Sequence, residues 1–367
     1  MYEQYDVAII GGGPAGSSCA RQLTQSGARV VVIDQKTFPR DKTCAGWVTP
    51  QVFDILQIDP VEYQNGRVLQ PIEGFRTGVI NGREIETRYG KVVSYGIRRS
   101  EFDLWLLNRC GAELRLGQAI RSMTREDDRW LINETWKARL LVGAGGHFCP
   151  VARRLGARDV PGAAVVTAQE IEFEASDSDL AAGSVKRNIP ELFFCNDLSG
   201  YGWCFRKGSF LNIGLGRIGP EHLVSHVDEF LRFLYDRGKV VASLPGKFHG
   251  HAYQLYDRIQ PRLFDEGVLL IGDAAGLANP QSGEGIRPAV ESGLIAAEVI
   301  RDARDGSRSE LQLYAELIQA HLKQTGPRVP WAHLPNTLFH WVAGRLLSSR
   351  WFTRKIVLDH CFLRNAI

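Results

Sequence analysis

Val7-Ala8-Ile9-Ile10-Gly11-Gly12-Gly13-Pro14-Ala15-Gly16 decides the fold, together with Arg29-Val30-Val31-Val32-Ile33-Asp34, whose acid lies 18 residues beyond Gly16. The apolar run at 7–10 reads as a strand buried on both faces, as parallel strands are. Residues 14–26 read as a helix. Gly11 permits the tight turn, Gly13 lets backbone approach a pyrophosphate, and Gly16 allows close helix–strand packing. The helix N-terminus, Pro14 and Ala15 included, then offers unpaired N–H groups and a partial positive charge to phosphates. Asp34 ends a second strand, where a carboxylate accepts ribose hydroxyls. Strand, glycine turn, helix, strand and acid in this order predict a dinucleotide-binding βαβ unit.

The chain has 367 residues, a length that suggests about two domains. Hydrophobic content of 44% and charged content of 23% are those of a folded soluble protein. The net charge of +3 favours no class of anionic partner, and no nucleic-acid partner is expected. No apolar stretch reaches the ~18 residues that a membrane span needs. The N-terminus runs straight into the first strand, so no signal peptide is expected. Seven cysteines without a CxxC pair predict reduced thiols and a cytoplasmic protein. His249-Gly250-His251 has no supporting cysteine or acid spacing, and alternation on a strand accounts for it; no metal is expected.

Farther along, Lys91–Tyr95 reads as a strand and residues 100–110 as a helix with Phe102, Trp105, Leu106 and Cys110 on one stripe. Short β-runs fill 113–142, and 163–216 is β-rich. Helices are predicted near 221–236, 284–302 and 309–325. Val268-Leu269-Leu270-Ile271-Gly272-Asp273 reads as another buried strand with a glycine-acid end. The β-rich block thus lies between two parts of one nucleotide domain. The expected layout is a discontinuous nucleotide domain (1–68, 97–158 and 260–325), a substrate domain (69–96 and 159–259) and a helical segment at 326–367.

Gly272-Asp273-Ala274-Ala275-Gly276 runs on into Pro280-Gln281-Ser282-Gly283-Glu284-Gly285-Ile286. With the first motif, this resembles the flavoproteins that share the p-hydroxybenzoate hydroxylase fold. The resemblance covers most of residues 1–300. It implies an α/β architecture: an FAD-binding Rossmann-like domain, a β-rich substrate domain and C-terminal helices. It implies FAD as cofactor, with Asp273 on the ribityl chain beside Gly272 and Ala274. It brings backbone N–H groups of Pro280–Ile286, around Gly283, Glu284 and Gly285, to the pyrimidine edge of the isoalloxazine, where they stabilise negative charge on reduced flavin. Arg99-Ser100-Glu101-Phe102-Asp103 matches the family's arginine and Phe-Asp pattern, which puts Arg99 on the diphosphate or adenosine side. Gln35 and Arg40 join the cofactor residues on the same ground. Ala144-Gly145 sits in a segment similar to a third fingerprint, but Gly145 stands where the family has an aspartate.

Two segments narrow the resemblance to the geranylgeranyl reductase group. Lys42-Thr43-Cys44-Ala45-Gly46 is similar to that group's Cys-Gly-Gly segment, and Gly200-Tyr201-Gly202-Trp203-Cys204-Phe205-Arg206-Lys207 to its Gly-Tyr-Gly-Trp-x-Phe-Pro-Lys strand. Ala45 and Arg206 depart from it, standing where glycine and proline are common. The resemblance implies an FAD-dependent oxidoreductase that reduces C=C bonds of a lipophilic, prenyl-like substrate. Cys44, Ala45 and Gly46 then lie by the flavin, with Cys44 as proton donor or gate and Tyr201 and Trp203 lining an apolar tunnel. The alternative on the same fold is a flavin-dependent monooxygenase of an aromatic or polyketide-like compound. One dinucleotide fingerprint argues against a second NAD(P)H domain, which leaves NAD(P)H or a ferredoxin-type partner protein as electron donor. Residues 326–367 carry six Lys/Arg against one acid, Asp359, interleaved with Trp331, Phe339, Trp341, Trp351, Phe352 and Phe362. Such a segment either covers the substrate domain or lies at a membrane surface.

Overall fold

The computed structural model describes residues 2–157, 164–219, 221–241, 243–256, 262–265, 267–303, 308–325 and 345–363. Two compact units divide the chain: Met1–Asp41, Ser100–Ala164 and Tyr253–Gly326 in the first, Lys42–Arg99, Val165–Ala252 and Pro327–Ile367 in the second. Residues 42–68, expected with the nucleotide domain, fall in the second unit, as does the C-terminal segment.

The first unit is built on a sheet whose main path runs Phe264–Asp265, Val268–Leu270, Trp136–Gly143, Glu3–Ile10, Val30–Asp34, Glu113–Leu116. All neighbours from Val268–Leu270 to Glu113–Leu116 are parallel. Their inner residues, Val7, Ile9, Val31, Ile33, Leu141 and Leu269 among them, are fully or almost fully buried, which explains the unbroken apolar runs. The register aligns Ile10 with Ile33 and Gly143, and Gly143 with Leu270. Four strands therefore end together, and the loops after them share one edge of the sheet. Helices Pro14–Gln25 and Ile286–Asp302 pack against this sheet and, at very close range, against each other. A Cβ on Gly293 would lie 2.4 Å from the Ala15 carbonyl oxygen.

The second unit holds a seven-stranded sheet ordered His249–Gln254, Val165–Glu174, Phe210–Ile218, Gly200–Lys207, Glu191–Phe194, Gly74–Val79, Ile85–Arg88. Period-2 alternation sorts its side chains to two faces. Ile171, Phe193, Ile213 and Leu215 pack under helix Leu223–Asp236 through its Val227, Phe230, Phe233 and Leu234. Gly202 faces this helix, where a Cβ would lie 2.7 Å from the Phe230 ring. The opposite face carries Phe75, Ala168, Leu192, Trp203 and Phe205, packed with Leu347, Val357, Leu358, Phe362 and Leu363 of the C-terminal segment. The expected strand at Lys91–Tyr95 is displaced to Ser94–Ile97. Gly90, at φ +70°, puts Lys91 and Val92 in an exposed bend, and the strand starts beyond it.

Candidate functional site

The site in the first unit starts at the shared carboxyl edge of the parallel strands, where open α/β sheets bind ligands. Gly11, at φ +120°, turns so close to the neighbouring loop that a Cβ would sit 2.4 Å from the Ala144 carbonyl oxygen. Gly16 is tighter still, with a Cβ position 1.9 Å from the Gly11 oxygen. Gly13 differs: its added Cβ would meet only Arg40 Nη2, at 3.4 Å. Helix Pro14–Gln25 begins right after it with no side chain capping its N-terminus. Arg40 is held beside this opening by Asp103 at 3.1 Å and by the Phe38 ring at 4.7 Å. Its Nη1 is buried and makes no hydrogen bond. Uncapped N–H groups, an open glycine and an unsatisfied guanidinium nitrogen are the donor set that a diphosphate requires.

Asp34 closes the same loop. Its Oδ2 accepts the Gly12 N–H and its Oδ1 the Lys36 N–H, both at 2.8 Å. The acid thus holds the glycine turn in shape, and each oxygen keeps an acceptor position for a ribose hydroxyl. Gln35 follows it and is exposed. Gly145, where the family has an acid, has a Cβ position 3.2 Å from Cys149 Cα and 3.3 Å from its Sγ. Cys149 therefore crowds the space where a larger side chain would start.

The Gly272 turn meets the glycine-turn helix. Gly272 has φ +59°, and its added Cβ would be 3.1 Å from Ala15 Cβ and 3.3 Å from Ala289 Cβ. Asp273 and Ala274 follow in the 3-10 turn Gly272–Ala275. Asn279, buried and unnoticed in the sequence reading, organises the next loop. Its Oδ1 accepts the N–H groups of Gln281 and Ser282, its carbonyl that of Gly283, and its own N–H donates to the Glu284 carbonyl. Asn before Pro280 is the signal that could have found it. Pro280 is exposed at the loop tip, and Gly285 caps helix Ile286–Asp302 with no side-chain hydrogen bond. A second uncapped helix N-terminus of a 17-residue helix follows. Its N–H groups suit the electron-rich edge of a flavin ring. The residues present fit FAD.

Cys44, Ala45 and Gly46 belong to the second unit, as do Tyr201 and Trp203; Arg99 is the last residue of its first segment and is buried. A buried polar cluster holds the Cys44 loop. Asn212 Nδ2 donates to the Cys44 carbonyl at 3.2 Å and to Glu170 and Glu172, each at 3.1 Å. Lys207 donates to the Ala45 carbonyl at 3.1 Å and the Ile97 carbonyl at 3.0 Å, and pairs with Glu172. Arg98 reaches Glu172 from the other side at 3.0 Å. Gly46, at φ +64°, would put a Cβ 2.1 Å from the Ile97 oxygen, and its N–H points to Cys44 Sγ at 3.3 Å. Burial works against the Glu172 carboxylate, but Lys207, Asn212 and Arg98 outweigh it and hold its pKa below the usual range. Burial dominates at Glu170 and pushes its carboxyl up to about 7.

Tyr201 and Trp203 share one face, with ring centroids 6.2 Å apart. Trp203 is 6% exposed, covers Gly214 and donates its indole N–H to Asn212 Oδ1 at 2.7 Å. Tyr201 is half-buried, with Phe362 5.4 Å away, and Trp47 stacks on the same Phe362 at 5.4 Å. Arg206 donates to the Leu180 and Gly208 carbonyls, tying its strand to helix Asp177–Ala182, which gives an arginine a use where the family has proline.

The chain matches the FAD binding domain family over residues 4–316. It is 30% identical over 349 residues to digeranylgeranylglycerophospholipid reductase 3 of Methanosphaera stadtmanae, covering 87% of this chain and 84% of that protein. It is 29% identical to a menaquinone reductase of Mycobacterium tuberculosis, covering 85% and 80%. A geranylgeranyl bacteriochlorophyll reductase-like protein of Thermoplasma acidophilum shares its fold, with a TM-score of 0.75 at 21% identity over 95% of this chain and 88% of that one. With a glycine turn, an anion-ready helix start and a flavin-side loop on one sheet edge, the chain belongs to the FAD binding domain family and, within it, to the geranylgeranyl reductase-like FAD-dependent oxidoreductases.

Proposed function

We propose that this oxidoreductase reduces C=C bonds of a lipophilic, prenyl-like chain. The observation that carries this reading is near full-length similarity to a protein named a digeranylgeranylglycerophospholipid reductase. Trp47, Phe194 and Tyr201, half-buried at the margin of the second unit's apolar face, support it, because a prenyl chain offers only apolar surface to recognise. When bound, reduced FAD supplies the hydride for one alkene carbon. The chain's own part is to hold the cofactor on Gly11–Gly16, Arg40 and the 280–286 loop, and to supply a proton for the second carbon. We assign that proton to the Cys44 thiol and the substrate-lining role to Tyr201, with Trp203 as the residue that braces it.

The described C-terminal residues support a covering role. Leu347, Val357, Leu358, Phe362 and Leu363 are buried in the second unit, while Trp351 is 67% exposed. Trp331, Phe339, Trp341, Arg328 and Arg364 lie outside the described residues. Among the described residues no helix is long and apolar enough to cross a membrane.

Anaerobically reduced protein is expected to be reoxidised by a prenyl alkene in the absence of oxygen. Oxygen consumption coupled to hydroxylation, with no alkene-driven reoxidation, would replace this reading with the monooxygenase. Cys44→Ala is expected to keep FAD and to lower the single-turnover rate of alkene reduction by at least about tenfold, a floor under the roughly 10²–10⁴-fold that a positioned proton donor contributes. An unchanged rate removes Cys44 from the chemistry.

A further inference from the structure

The described part of the C-terminal segment has two faces of opposite character. Thr353, Val357, Leu358, Phe362 and Leu363 are buried, at alternating spacings of four and one that put them on one side of a helical segment. That side packs on Phe75, Ala168, Leu192, Trp203 and Phe205 of the second unit. Arg350, Trp351, Arg354, Lys355 and Ile356 are exposed. Tyr89 pins the segment further: its hydroxyl donates to Asp359 at 2.6 Å, and Arg354 lies over its ring at 5.1 Å. The inner face thus holds the outer one in place, and binding through the outer face costs little ordering of the chain.

Trp351 is the residue that needs a reason. It is 67% exposed, whereas Trp105, Trp130, Trp136 and Trp203 are buried and Trp47 is half-buried. An indole left in water forfeits the apolar burial that an aromatic ring otherwise gains. The charge around it is one-sided. Residues 345–363 carry four Lys/Arg and one acid, and that acid, Asp359, is half-buried between Tyr89 and Lys355. A bilayer interface takes both features, indoles at headgroup level and basic side chains on anionic lipids.

We propose that the face formed by Arg350, Trp351, Arg354, Lys355 and Ile356 docks the protein on the surface of an anionic lipid bilayer. The choice of a bilayer over an acidic protein rests on the reading of the substrate as prenyl-like, since such a lipid dissolves in membranes and not in water. The contact is peripheral. Among the described residues no helix is long and apolar enough to cross a membrane, and the face offers one indole and one isoleucine to the headgroup layer. Its affinity therefore comes mainly from charge and is sensitive to salt.

The test is sedimentation of the FAD-loaded protein with vesicles that contain no prenyl substrate. Vesicles of equal parts phosphatidylcholine and phosphatidylglycerol are expected to bind it at least about tenfold more tightly than vesicles of phosphatidylcholine alone. Raising NaCl from ~0.05 M to ~0.5 M is expected to release it. Arg350→Gln/Lys355→Gln is expected to weaken binding by about thirtyfold, roughly fivefold for each basic residue lost near an anionic surface. Trp351→Ser is expected to cost about tenfold. These positions are exposed, so the variants fold like the unmodified protein. Arg232→Gln/Arg237→Gln removes the same charge at helix Leu223–Asp236 and is expected to leave binding unchanged. Absence of binding to the anionic vesicles overturns the proposal, as does equal binding by Arg350→Gln/Lys355→Gln and the unmodified protein. Trp351-dependent binding to an acidic ferredoxin-type donor, with none to vesicles, gives the face to a protein and overturns it too. If vesicle binding behaves as expected while a prenyl alkene fails to reoxidise the reduced protein, the docking face stands and the substrate reading falls.

Discussion

Gly16→Val is expected to weaken FAD binding by about 100-fold, or ~3 kcal/mol. The reasoning is steric and local. The Cβ position at Gly16 lies 1.9 Å from the Gly11 carbonyl oxygen and 3.2 Å from Ala144 Cβ. The nearest obstacle is backbone, so no rotamer change relieves it. Helix Pro14–Gln25 has to move away from the strand end that it follows. Its far side is equally constrained, because Gly293 sits against the Ala15 carbonyl. The helix therefore tilts, and the uncapped N–H groups at its start lose their aim. Fluorescence titration of apoprotein with FAD measures the effect, with Gly246→Ala as control, since nothing lies within 4 Å of that Cβ position. Affinity equal to the unmodified protein would show that this turn is not the diphosphate site.

Lys207→Met is expected to destabilise the protein by about 3–5 kcal/mol in urea unfolding above pH 6, the cost of removing one partner from a buried ion pair. Lys207 is 1% exposed and serves Glu172 and two carbonyls, those of Ala45 and Ile97. Methionine fills the volume and leaves all three acceptors short. Arg98 still faces Glu172, which puts the loss toward the lower end. The pH dependence has a definite sign. Glu172 has a lowered folded pKa, so its contribution is present above the usual carboxylate range and fades as pH falls through the folded value. The gap between variant and unmodified protein should narrow in acid. A gap that is constant from pH 7 to pH 4 would mean that packing, not charge, makes Lys207 important.

The first unit was legible because its determinants are local. Val7–Ile10 and Val30–Ile33 are apolar on both faces, and the glycines that follow have no ordinary alternative use. Gly272 and Gly283 repeat that logic farther along. The polar cluster under Cys44 was not legible for the opposite reason. Glu170, Lys207 and Asn212 come from three neighbouring strands, and each looks like an ordinary solvent-facing residue at every second position. Only the pairing of Glu170 with Gly214 and of Cys204 with Ile213 brings them under the loop. Residues 42–68 continue the first βαβ unit in sequence, but Trp47–Val48 and Leu69–Ile72 pair with Ser94–Ile97 in the second unit. Trp203 reads as a tunnel wall in one dimension. The structure spends its indole N–H on Asn212 and its ring on Gly214, which is the behaviour of a brace.

The strand order has a consequence for biosynthesis. Glu3–Ile10 is synthesised before both of its partner strands, yet it lies inside the sheet, with Val30–Asp34 on one side and Trp136–Gly143 on the other. Val268–Leu270 completes the parallel run only much later. Most of the second unit is synthesised between those strands. The open apolar edge passes from Glu3–Ile10 to Trp136–Gly143, which then waits for Val268–Leu270 while residues 165–252 of the second unit are made. Such non-local pairing slows folding and leaves an apolar strand edge open until the last parallel strand is added.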